Sequence, residues 1–239
     1  MSLPVLKSPE YTTTVPSTKQ TIKFRPFLVK EEKLLFMALQ GGDQKEMTNA
    51  VSNIIKTCVL TDDFNVDKLA MFDVEYLFLQ LRGKSVGENV DLRLKHPKGS
   101  DCKNIVDVSV NLDQINVTFP EEYSDKIQLT DEVGIRLQFP GVKQIMEMGD
   151  IDLNNENFDQ LLDFVCSCVI CIYDNENVYD TFTKDEIKNF LESLNQQQFE
   201  KVQRFFSNAP KLEHDIEWTC NKCERKETIH MEGLASFFT

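Results

Sequence analysis

The stretch WTCNKCERKETI, residues 218–229, places Cys220 and Cys223 in a turn between two runs that alternate polar and apolar residues. A Cys-x-x-Cys turn presents two thiolates to one metal from a tight knuckle, and structural zinc is four-coordinate and tetrahedral. Two more ligands are therefore needed. Cys168 and Cys171 repeat the spacing within CSCVIC, and side chains three apart near the end of a helix lie on neighbouring turns. The expected site is one structural zinc held by Cys168, Cys171, Cys220 and Cys223, with no position left open for water or substrate. Cys166 competes for a place if the helix ends near Cys168, and His214 and His230 compete because they flank the knuckle. The contrasting reading is a knuckle that binds no metal, with Cys168 simply part of the apolar stripe on which it lies.

Other chemistry finds less support. Seven cysteines in a chain that opens without an apolar signal segment do not read as a disulfide framework. A reducing cytoplasm is the expected setting. Cys58 falls on an apolar helical stripe and reads as core, and Cys102 as a bystander. The three histidines, His96, His214 and His230, sit in no nucleophile or metalloprotease motif, and the nine glycines form no phosphate-cradling loop. The expectation is a protein that is not an enzyme. A net charge of −13, from 39 acidic and 26 basic residues, argues against binding a polyanion, which needs a basic face to release counterions. No apolar run approaches the length that spans a bilayer.

The elements that must position the cysteines follow from periodicity. YTTTV and QTIKF are β-prone runs joined by PSTK, an extended arm folded as a hairpin. Residues 26–42 read as a helix with Leu28, Leu35 and Leu39 along one side, stopped by Gly41 and Gly42. A second helix over 44–59 carries Met47, Val51, Ile54, Ile55 and Cys58 on one face. A third begins at Asp73 as cap, turns Val74, Leu77, Phe78 and Leu81 inward, and weakens at Gly83. The period then changes to two: Val90, Leu92, Leu94; Val106, Val108, Val110; Ile115, Val117, Phe119; Ile127, Leu129; Val133, Ile135, Leu137, Phe139. An antiparallel sheet is the natural product. Helical spacing returns over 157–173, and TKDE and NQQQ at 183–186 and 195–198 read as capping boxes. LEHDIEW and ETIHM flank the knuckle as strands, and GLASFFT ends the chain with Phe237 and Phe238.

The expected fold is α+β: an extended arm and helical segment over 1–88, a short antiparallel sheet over 89–140, and a helical part over 141–239 with the zinc-knuckle β-hairpin.

Two stretches carry a family likeness. FRPFLVKEEKLLFMAL, followed by FDVEYLFLQLRGKSVGE, resembles the N-terminal signature of the baseplate hub assembly proteins of T4-like tailed bacteriophages. CIYDNENVYD, EIKNFLESLNQQQFEKVQRFFSNAPKLEHDIEWTCNKC and MEGLASFF are similar to the end of the same family. The likeness covers most of the chain, least distinctively in its strand-rich middle. It implies a viral protein made in the cytoplasm of the infected bacterium, acting through contacts with other baseplate hub or tail-tip proteins and retained in the virion baseplate or released after assembly. It carries over no catalytic residues and no metal ligands. Two other classes stand beside it: a zinc-ribbon nucleic-acid module, and an enzyme built on a reactive thiol.

Overall fold

Short-range signals build the first elements where expected. The computed structural model describes residues 6–97, 99–121, 123–148 and 158–233. Strands β1 (Tyr11–Thr14) and β2 (Thr21–Phe24) form an antiparallel hairpin, with Ile22 and Phe24 buried. Helix α1 (Val29–Gly41) ends where Gly42 takes φ 69°, a conformation glycine adopts without steric cost. Helix α2 (Gln44–Cys58) is capped by the Asp43 carboxylate, which accepts from Lys45 N at 2.8 Å. The buried line of α1 differs from the expected leucine row: it is Glu31, Leu35 and Ala38, whereas Leu28 and Leu39 are exposed. Glu31 turns inward because its carboxylate accepts from Leu28 N at 2.7 Å and pairs with Arg25 at 3.1 Å.

Helix α3 (Met71–Val86) starts before Asp73 and runs through Gly83. Asp73 is therefore not its cap. Its fully buried carboxylate instead accepts from Ser17 N at 2.9 Å and Ser17 Oγ at 2.5 Å, tying down the β1–β2 turn. Val74, Leu77, Phe78 and Leu81 are buried, as the helical period requires.

The alternating middle does not make one sheet. Strands β3 (Asn89–Lys95) and β4 (Ile105–Asn111) form a hairpin of their own. A 3-10 turn then leads to β5 (Asn116–Thr118). Strands β6 (Lys126–Gln128) and β7 (Gly134–Leu137) belong to a four-stranded antiparallel sheet with β8 (Val169–Tyr173) and β9 (Val178–Tyr179). Helix α4 (Val142–Met148) precedes helix α5 (Phe158–Cys168), which is shorter than the helix expected over 157–173. The last five of those residues, VICIY, are β-branched or aromatic at four positions and pair with β7 instead. The Asp174 carboxylate then accepts from Glu176 N and Asn177 N, closing the turn into β9.

Helices α6 (Lys184–Glu192) and α7 (Gln196–Ser207) start at the two expected capping boxes, Thr183 with Glu186 and Asn195 with Gln198. Strands β10 (Lys211–Thr219) and β11 (Lys226–Glu232) form the hairpin around the Cys-x-x-Cys turn, and β5 adds to β10 as a third strand. Phe237 and Phe238 lie outside the described residues.

The chain divides into two compact units. The first takes residues 1–66, 72–118 and 211–239, and the second 67–71 and 119–210. In the first, Leu79, Leu92, Leu94, Val110, Ile115, Leu212, Ile216, Trp218 and Met231 share one core, so the β3–β4 and β10–β11 hairpins pack together. In the second, Leu137, Leu162, Val165, Ile187, Leu191, Val202 and Phe205 do so. Among the described residues no helix is long and apolar enough to cross a membrane.

Candidate metal centre

Two hairpin loops meet in the first unit. One joins β3 to β4 and begins with His96, with Cys102 and Asn104 toward its other end. The other is the turn between β10 and β11, closed by Cys220 N donating to Arg225 O at 3.0 Å and Glu224 N to Cys220 O at 2.9 Å. Glu224 holds a positive φ of 58°, which lets the chain reverse tightly enough to bring Cys220 and Cys223 side by side.

Ligand atoms of His96, Cys102, Cys220 and Cys223 all lie within 4.8 Å of one another, so this group could hold a metal ion. The Cys102 and Cys220 sulfurs are 3.9 Å apart, and Cys223 Sγ is 3.4 Å from His96 Nε2. Cys220 is fully buried and Cys223 is exposed. The His96 imidazole is 1% exposed, its ring 5.0 Å from that of Trp218 and its Nδ1 3.2 Å from Glu227 Oε1.

The electrostatics favour a thiolate here. Burial works against ionising Cys220. Hydrogen bonds from the backbone at Cys223 and from the His96 side chain, then from Lys222 N and the Asn104 amide, outweigh it and bring the thiol down to about 5. Lys222 N lies 3.4 Å and Asn104 Nδ2 3.6 Å from the sulfur, the latter held by Asn221 Oδ1 at 2.6 Å. His96 is in turn raised above the ordinary imidazole range, first by Cys220 and then by Glu227, against the cost of burial. A sulfur that is charged at neutral pH is the form that binds metal.

Of the expected ligands, the structure brings Cys220 and Cys223 into this group. Cys168 and Cys171 belong to the second unit. Cys168 ends α5, fully buried, and burial pushes its thiol up to about 12. Cys171 is buried on β8, opposite Arg136. They stand on a helix end and a strand, not on neighbouring turns of one helix. Burial also raises the Cys166 thiol. His230 is exposed on β11, 2.7 Å from Asp215, which first among its acidic neighbours raises its pKa. His214 is half-buried on β10. Cys58 is a core thiol, pushed up to about 11 by burial.

His96 and Cys102 are the members that sequence reasoning missed. The available signal was HPKGSDC, a Pro- and Gly-containing loop between two alternating runs, bracketed by a histidine and a cysteine, both residue types that can bind metal.

Residues 8–239 match the family model described as T4 bacteriophage base plate protein. No curated protein and no solved structure matches the chain.

Proposed function

We propose, because this chain belongs to the T4 bacteriophage base plate protein family, that it is a non-catalytic component of the baseplate hub, acting through contacts with other hub or tail-tip proteins. The observation that carries this is the family match, which runs from the first hairpin to the end of the chain. A surface feature supports it. Val29, Leu34, Phe36 and Met37 of α1 are more than half exposed, Val29 at 80% and Phe36 at 61%. A helix that is apolar well beyond its buried stripe fits a face that a partner covers.

The metal reading is a structural zinc bound by His96, Cys102, Cys220 and Cys223. One nitrogen and three sulfurs are a donor set typical of structural zinc, with no position left for substrate. Zinc there joins the β3–β4 loop to the β10–β11 turn, which share a small core. The protein acts in the cytoplasm of the infected bacterium during assembly and joins the virion baseplate.

Co-purification of tagged protein from infected cells, compared with the composition of mature virions, tests the role. Tail proteins should accompany it, and Phe36→Glu with Met37→Glu should weaken the association while circular dichroism stays unchanged. Association with no tail protein in either sample would overturn the reading.

A further inference from the structure

We propose that Glu227 is the outer carboxylate of this metal centre, a positioning residue that holds the proton of His96 on Nδ1 and so aims the Nε2 lone pair at zinc. The inference rests on the structural-zinc reading and deepens it.

The hairpin register puts the carboxylate where it is needed. Glu227 on β11 stands directly opposite Trp218 on β10, and opposed residues of an antiparallel pair project from the same face. Trp218 is buried there, with the His96 ring beside it. Glu227 Oε1 thereby comes within 3.2 Å of His96 Nδ1, while Nε2 faces the Cys223 sulfur at 3.4 Å. The two ring nitrogens thus meet two different chemistries, a hydrogen-bond acceptor and a cluster of sulfur ligands.

A neutral imidazole has one N–H and one lone pair, and the partner of the first decides which nitrogen carries the second. A carboxylate accepting from Nδ1–H leaves the lone pair on Nε2, fixes the ring plane and makes the nitrogen a stronger donor to metal. Glu227 is not itself one of the four converging ligands. It lies one shell out, its side chain 22% exposed against 1% for the imidazole.

Competition between the full-length protein and a chromophoric chelator for Zn²⁺ tests the inference, with Glu227→Ala and Glu227→Gln beside wild type. Glu227→Ala should bind zinc about 10–100-fold more weakly. Glu227→Gln should stay closer to wild type, because its amide oxygen accepts the same N–H. Without metal, Glu227→Ala should unfold at a somewhat lower urea concentration, because His96 Nδ1 loses its acceptor there too, but by less than the lost zinc affinity. Glu227→Gln should stay close to wild type. Equal zinc affinity of Glu227→Ala and wild type overturns the proposal, as does a Gln variant no better than the Ala variant. A metal-free loss of stability large enough to account for the lost affinity also overturns it, assigning Glu227 to folding. Should Glu227→Ala fail to fold, a tenfold loss in Glu227→Gln alone rejects the role of the accepted hydrogen bond. Wild type binding no stoichiometric zinc defeats the zinc reading itself, a result distinct from all of these.

Discussion

The sulfurs of Cys102 and Cys220 stand 3.9 Å apart although 118 positions separate them in the chain. Loops so distant in sequence meet because β3–β4 and β10–β11 share one apolar core, which leaves their ends side by side.

Replacing either sulfur by Ser should therefore remove stoichiometric zinc, whereas Cys168→Ser and Cys171→Ser should retain it. Metal analysis of the four purified variants checks this, and zinc lost from the second pair would return that pair to the site. Chelation should also destabilise the first unit. Zinc at a hundredfold excess over its Kd stabilises a folded state by about 2.7 kcal/mol. Trp218, the one tryptophan of the chain and a neighbour of His96, should report the loss as a lower Tm by fluorescence.

Asp73→Ala should cost about 1–3 kcal/mol, because it leaves the Ser17 N–H and hydroxyl without their buried acceptor. Urea unfolding measures it. A change within the ~0.5 kcal/mol usual for surface sites would show that the first hairpin does not depend on this tie.

Glu31 sets a pH dependence. Burial opposes its charge, but the Leu28 N–H and the Arg25 guanidinium outweigh that and hold its carboxyl below the ordinary value of 4.5. A folded pKa below the unfolded one means the unfolded state takes up the proton first as pH falls. The contribution is thus fully present above pH 4.5 and is lost as pH drops through the folded pKa. The stability gap between wild type and Glu31→Gln, followed by urea unfolding from neutral to acid pH, should narrow over that window. A gap that widens on acidification would contradict the assignment.

Gly141→Ala should destabilise the second unit by about 1–3 kcal/mol, the usual range for overpacking. Its Cβ would fall 2.3 Å from Leu69 O, and a backbone carbonyl cannot swing away as a side chain does. Gly141 also bridges Ala70, and Met71 N donates to Pro140 O at 2.9 Å beside it. Thermal unfolding checks the size. An unchanged Tm would mean that this backbone contact yields freely.

Signals confined to a few neighbouring residues are readable from the chain alone. Thr183 with Glu186, and Asn195 with Gln198, mark helix starts because both halves of a capping box lie within one turn. The β1–β2 hairpin, the face of α2 with Cys58 on it and the strands flanking Cys220 and Cys223 are legible for the same reason: periodicity and turn chemistry act over a few residues. Family membership was legible too, through long motifs at both ends. Tertiary structure decided the partners. Whether VICIY continues α5 or becomes β8 depends on the free edge of β7, more than thirty residues earlier. That β5 leaves the middle strands for β10, nearly a hundred residues on, depends on which hairpin buries Leu212 and Ile115 together. His96 and Cys102 become neighbours of the knuckle only when those pairings are made. A Cys-x-x-Cys turn brings Cys220 and Cys223 together because the turn itself converges them, but His96 and Cys102 reach them through the core, and no local spacing records that.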